Sequence, residues 1–197
     1  ADNTIISGGI HTFGLKNIIS SPIEHHAVVH TLEVLAEAGE VEIHHVRLEE
    51  NGHVDLNHLE ELLKKHPKAL VSLMQANNEI GNLLDLRRVG EMAKAHDAFL
   101  HSDTVQTIGH YRHNMKELYV CGMTAGAHKF HGPKGTGFMY IQKDHKIEQL
   151  VVANRTARKA QLFAKEISKW GPHVKCHVFP WRSKSLRGIL PIVNFVI

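Results

Sequence analysis

The stretch Ala69–Ser102, ALVSLMQANNEIGNLLDLRRVGEMAKAHDAFLHS, reads as strand, loop, helix and strand. Ala69–Met74 is an almost unbroken apolar run, the pattern of a strand covered on both faces. Asp85 is a helix-capping residue type, and the apolar spacing behind it predicts a helix over Leu86–His96. Ala98–Ser102 is short and apolar, a second strand. Two strands joined through a helix make a parallel βαβ unit.

The alternation continues outward. Asn17–Ser21 is a short strand-like run ended by Pro22, after which Val28, Val29, Leu32 and Leu35 keep helical spacing through Ala38. Gly39 ends that helix, Val41–Val46 alternates as a strand, Asn51-Gly52 turns the chain, and Asp55 caps a helix over Asn57–Lys65 that Pro67 stops. Ala1–Ile10 reads as part of a helix begun upstream, so a fragment is expected. Met123–Tyr140, MTAGAHKFHGPKGTGFMY, reads as strand, exposed loop and strand, with Gly132, Pro133 and Gly135 fixing a tight turn. The expected fold is α/β, a three-layer αβα sandwich around a mostly parallel sheet. Such sheets bind ligands outside the carboxyl ends of their strands.

With 197 residues, 43% of them hydrophobic, the chain can bury one full core and carry an attached piece. No apolar run reaches the length of a membrane span, and Ala1–Ile10 lacks a signal-peptide pattern, so a soluble cytoplasmic protein is expected. Cys121 and Cys176 form neither a CxxC pair nor a disulfide framework. The net charge of +3 arises mainly after Asn154, where nine Lys and Arg residues face Glu166 alone. With 6% aromatics and no stacking pattern, no nucleic-acid partner is expected. Histidine is abundant, at 18, yet beyond pairs such as His26 and His30 no set has structural-zinc spacing, and no metal is expected.

Polar clusters fall at equivalent ends of successive strands: Gln75 through Glu79, then Asp103 and Gln106, then His128 and Lys129. Singly, each is an ordinary cap or loop residue, and Lys129 an ordinary solvated lysine. Together, a lysine able to form an imine, an aspartate able to pair with a pyridinium nitrogen and a ring able to stack describe a pyridoxal phosphate site. Asp103 would keep the ring nitrogen protonated. Lys129 would hold the cofactor and shuttle protons, desolvation favouring its neutral amine. A non-catalytic sheet serving assembly and an NADP-binding role for the tail are the alternatives.

Four segments, SPIEHHAVVHTLEVL (Ser21–Leu35), MQANNEIGNLLDL (Met74–Leu86), HSDTVQTIG (His101–Gly109) and AHKFHGPKGTGF (Ala127–Phe138), resemble the cysteine desulfurases of the NifS and IscS type. These are fold-type I pyridoxal phosphate enzymes, and the resemblance covers about residues 1–142. It implies that His25 stacks on the cofactor ring and assists proton transfer, and that Asn78 and Gln106 lie near the phenolic oxygen. It further implies Asp103 as the pyridinium partner, His128 as a phosphate contact and Lys129 as the Schiff-base lysine, with Asn77 structural. The implied reaction takes L-cysteine to L-alanine and delivers sulfane sulfur through an enzyme persulfide to a sulfur-acceptor or scaffold protein of iron-sulfur assembly. A homodimer is implied, and a related class V enzyme such as a selenocysteine lyase is the alternative.

The chain departs from that pattern. Only Ala1, Asp2 and Asn3 remain of the glycine-rich phosphate cup, and Gly126 stands where a serine is frequent. Cys121 and Gly122 replace an aspartate and an apolar residue, which reads as variation and not as a catalytic thiol. After Lys143 the family's small domain and its cysteine loop do not follow, so little desulfuration is expected from this chain alone. Instead Gln149–Phe163, QLVVANRTARKAQLF, is similar to a strand and helix of the NADP-binding domain of shikimate dehydrogenases and glutamyl-tRNA reductases. Asn154, Arg155 and Thr156 would contact the 2'-phosphate there, but without a GxGxxG turn Thr156 reads as a helix cap. Cys176 sits in a strand-like run, His173–Phe179. Two parts are expected, a partial cofactor-binding large domain over 1–145 and an α/β extension over 146–197.

Overall fold

The computed structural model describes residues 1–132, 137–142, 149–154, 175–180 and 195–196. The elements alternate as the sequence pattern predicts: α1 (Asp2–Phe13), β1 (Asn17–Ser20), α2 (His26–Glu37), β2 (Glu42–His45), α3 (Leu56–Lys65), β3 (Leu70–Ser72), α4 (Leu86–Ala95) and β4 (Phe99–Asp103). A short helix, α5 (Met115–Leu118), then precedes β5 (Gly122–Gly126), a 3-10 turn at Ala127–Lys129 and β6 (Gly137–Ile141). Asp55 and Asp85 cap α3 and α4 by accepting from His58 N and Arg88 N. Strand β4 runs one residue beyond the expected end because Asp103 pairs with Thr124 of β5.

The strands form one sheet in the order β2-β1-β3-β4-β5-β6. Every pairing in it is parallel except that of β5 with β6, which is antiparallel. Ile18, Leu70 and Phe99 lie side by side in register and pack with Ile5, Ile6 and Ile10 of α1 and Val28 and Leu32 of α2. Their neighbours Ile19, Val71 and Leu100 point to the opposite face, against Leu59 and Leu63 of α3 and Val89 and Ala93 of α4. This produces the expected three layers, and each such buried Ile or Leu contributes roughly 1.5–3 kcal/mol.

Two glycines permit close packing. A Cβ on Gly122 would lie 2.5 Å from Ile5 Cγ2, so α1 settles onto β5 only because that position lacks a side chain. At Gly90 of α4 the same atom would lie 1.9 Å from the Leu118 carbonyl oxygen.

Farther along, β7 (Gln149–Asn154), β8 (Lys175–Pro180) and β9 (Phe195–Val196) form a parallel sheet in the order β8-β7-β9. Strand character at Gln149–Asn154 and around Cys176 agrees with the alternating sequence there. The turn at Pro133–Gly135, the helix expected to follow Asn154, the roles considered for Arg155 and Thr156, and the Asn154 and Cys176 side chains lie outside the described residues. No helix among the described residues is long and apolar enough to cross a membrane. Nor does any group of three or more His, Cys, Asp and Glu among them stand ready to hold a metal; His26 and His30 do stack, with ring centroids 5.4 Å apart.

Candidate functional site

Parallel strands place their carboxyl ends side by side, and the polar segments that follow β1, β3, β4 and β5 converge there. They border a cavity of about 450 Å³ whose lining includes His25, Asn78, Asp103, Gln106, His128 and Lys129. All six residues selected from the sequence are therefore brought to one place. Asp2, Ala27, Met74 and Val105 complete the wall.

Each side chain is delivered by a local device. His25 caps α2, its Nδ1 accepting from Ala27 N at 3.2 Å. Asn77 is buried and structural: its Oδ1 accepts from Glu79 N at 2.8 Å and Ile80 N at 3.0 Å, which turns Asn78 outward to the cavity. Asp103 ends β4 with Oδ1 accepting from Val105 N at 2.8 Å. Thr104 and Thr107 hold the loop behind it through the Thr124 carbonyl and the Gln75 side chain. His128 and Lys129 lie in the 3-10 turn, and His110 Nε2 contacts the Lys129 carbonyl oxygen at 3.1 Å.

The closed end of the cavity is acidic and the open end basic. Burial pushes the Asp103 carboxyl up, and the neighbouring Asp2 charge adds to that. Burial acts on Asp2 in the same direction, but His101, at 3.4 Å, and the Thr124 hydroxyl outweigh it and hold Asp2 below the usual carboxylate range. His101 is wholly buried, and its Nδ1 meets Ser72 Oγ at 2.9 Å. Lys129 and His128 are exposed at the rim. Among the described residues, the side chains around Lys129 leave it exposed, so the burial expected for it is not seen.

Asp2, His101 and Glu24 are functional neighbours that sequence reasoning missed. His101 had a signal, since period two in β4 puts it on the face of Asp103. Glu24 also had one: Ser21 and Glu24 show the spacing of a capping box, although α2 begins only at His26. Asp2 had none, because its place is set by α1 packing over the sheet.

The model of the class-V aminotransferase family matches residues 1–168. The chain belongs to this family. It is 42% identical over 136 residues to the cysteine desulfurase IscS of Dictyoglomus turgidum, covering 69% of this chain and 34% of the relative. It is 37% identical over 144 residues to the putative cysteine desulfurase IscS 1 of Bacillus subtilis, covering 73% and 38%. A solved NifS-like protein superposes with a TM-score of 0.71 at 36% identity, covering 79% of this chain and 43% of that one. The class-V chain thus spans about a third of the length of the curated relatives it matches.

Pyridoxal 5'-phosphate is the expected cofactor of this family, and the donor set fits it. A desolvated carboxyl at the closed end, raised by burial and by the Asp2 charge, suits a protonated ring nitrogen. An amine at the opposite rim, an imidazole on the wall and two amides suit the aldehyde, the ring and its oxygen substituent. The fit is thinnest at the phosphate, where Gly126 offers no hydroxyl.

Proposed function

We propose that this chain is the cofactor-holding portion of a cysteine desulfurase. The observation that carries the reading is the convergence of His25, Asn78, Asp103, Gln106, His128 and Lys129 on one cavity at the carboxyl ends of the strands. When bound, pyridoxal phosphate supplies an electron-withdrawing ring that weakens the bonds at the substrate Cα. Lys129 Nζ would hold the cofactor and carry a proton to and from the substrate carbon. The Asp103 carboxylate would keep a proton on the ring nitrogen. His25 would cover one face, exclude water and move a second proton, with Asn78 and Gln106 orienting the ring oxygen and His128 the phosphate.

L-cysteine is the proposed substrate, L-alanine and sulfane sulfur the products, and a thiol of an iron-sulfur assembly partner the final acceptor. Cys121 is unsuited to carry the sulfur. It is buried, burial pushes its thiol up, and it precedes β5, about 15 Å of strand from the site at its other end. Assembly as a homodimer, a cytoplasmic location and the division into parts 1–145 and 146–197 belong to the same proposal.

Titration of the chain with pyridoxal 5'-phosphate tests the reading. A visible absorbance band should develop in the parent and be lost in Lys129→Ala. No band in the parent would sink the proposal.

A further inference from the structure

The turn between β1 and α2 contains an acid that the proposed chemistry leaves without a task. Glu24 directly precedes His25 and is 8% exposed. Its Oε1 accepts from Ser21 Oγ at 2.6 Å and from the Met74 backbone N at 3.0 Å, whereas Oε2 is buried with no hydrogen-bond partner among the described residues. Asn77 Nδ2 ties the same turn a second time by donating to the Ile23 carbonyl at 2.7 Å. Glu24 therefore bridges the turn that presents His25 and the segment just past the end of β3, where Met74 borders the cavity.

The surroundings disfavour a charge on this bridge. A buried, unpaired carboxylate oxygen is costly. Asp2 of α1 and Asp103 at the end of β4 both face Glu24 with negative charge, His53 from the loop after β2 borders the small cavity beside it, and His25 is its neighbour in sequence. None of these is a lysine or arginine. Burial, with Asp103 and Asp2 adding to it, pushes Glu24 up to about 8 despite its two donors.

We infer that Glu24 is a positioning residue that works as a neutral acid, clamping the His25 turn to the segment just past β3 and releasing it when the proton is lost. The inference rests on the cofactor reading above, because His25 is the group being aimed. Deprotonation would place a third negative charge beside Asp2 and Asp103 and draw the carboxylate toward water. The turn, and His25 with it, would follow.

Glu24→Gln keeps the shape and the acceptor for Ser21 and Met74 but cannot titrate, and Glu24→Ala removes the clamp. The parent and both variants should be titrated with pyridoxal 5'-phosphate on either side of about pH 8. The ratio of parent Kd to Glu24→Gln Kd should be near unity below that pH and climb toward about tenfold per pH unit above it. Glu24→Ala should bind weakly throughout; should it fail to fold, the Gln comparison alone decides. Identical pH profiles for the parent and Glu24→Gln would overturn the inference while leaving the cofactor reading intact. If the parent binds no cofactor at any pH, that reading fails, and NMR of the His25 ring in the cofactor-free chain decides instead. An inflection near pH 8 in the parent that is missing from Glu24→Gln supports the clamp, and a parent without that inflection overturns it.

Discussion

His101 Nε2 lies 3.4 Å from Asp2 Oδ1, so the buried face of β4 meets the first turn of α1 through polar groups as well as by packing. Removing the imidazole strands a buried carboxylate. His101→Gln should therefore lose about 3 kcal/mol of stability in urea denaturation at neutral pH. Asp2 is held below its ordinary value, so this contribution is present above that value and fades as the solution is acidified through the lower, folded one. Adding Asp2→Asn to the variant should recover much of the loss. Full stability in His101→Gln alone would show that the pair is immaterial.

Asp103 shows the opposite sign. Its carboxyl is raised by burial and then by Asp2, so the folded chain grows less favourable as pH rises through the range in which Asp103 ionises. Asp103→Asn should raise the melting temperature of the cofactor-free chain by a few degrees while weakening pyridoxal phosphate binding at least tenfold. A variant that melts earlier would contradict the electrostatic account.

Glu24 makes a similar prediction with a wider window. Its folded-state value of about 8 against an ordinary 4.5 means that stability is fully present below about pH 4.5 and is lost progressively as pH rises toward 8. At about 1.4 kcal/mol per unit the ceiling on that loss is roughly 5 kcal/mol. Glu24→Gln should be the more stable protein near pH 8 by a few kcal/mol and should lose the advantage near pH 4. Parallel stability curves for the two proteins would refute it.

Gly90→Ala tests the packing of α4. The added methyl would stand 1.9 Å from the Leu118 carbonyl oxygen, closer than any side-chain relaxation can relieve. The expected cost is about 1–3 kcal/mol, even though alanine is the better helix former. A gain in the urea midpoint would mean that the segment at Leu118 yields freely.

Much of this architecture was legible in the residues. Apolar periodicity placed β1 through β5 and the helices α2, α3 and α4 within a residue or two, though not the short α5, and Asp55 and Asp85 announced two helix starts by their chemistry. The site was legible for a related reason: once the sheet is parallel, Asn78, Asp103, Gln106 and Lys129 need only follow strands to end up together. What did not show was the support beneath them. Asp2 reaches His101 and Thr124 only because Gly122 lets α1 descend onto β5, where Ile5 and Gly122 meet from more than a hundred positions apart. Glu24 looked like one more polar residue before a helix, and its contact with the Met74 backbone, 50 positions on, is not announced by any local pattern. The exposure of Lys129 agrees with the exposed loop read there, whereas the desolvation expected of its amine depends on which walls the cavity has and not on the motif around the lysine.

The parallel sheet also has a bearing on time. The cavity draws on residues from Asp2 to Lys129, and its parallel strands pair with partners 21 or more residues away, so the wall exists only once the slow, long-range pairings are complete. A ligand that needs all of these strand ends at once has nothing to grip on a half-formed chain. Its uptake therefore keeps a clock on the final stage of folding, and its mass action stabilises the finished sheet alone.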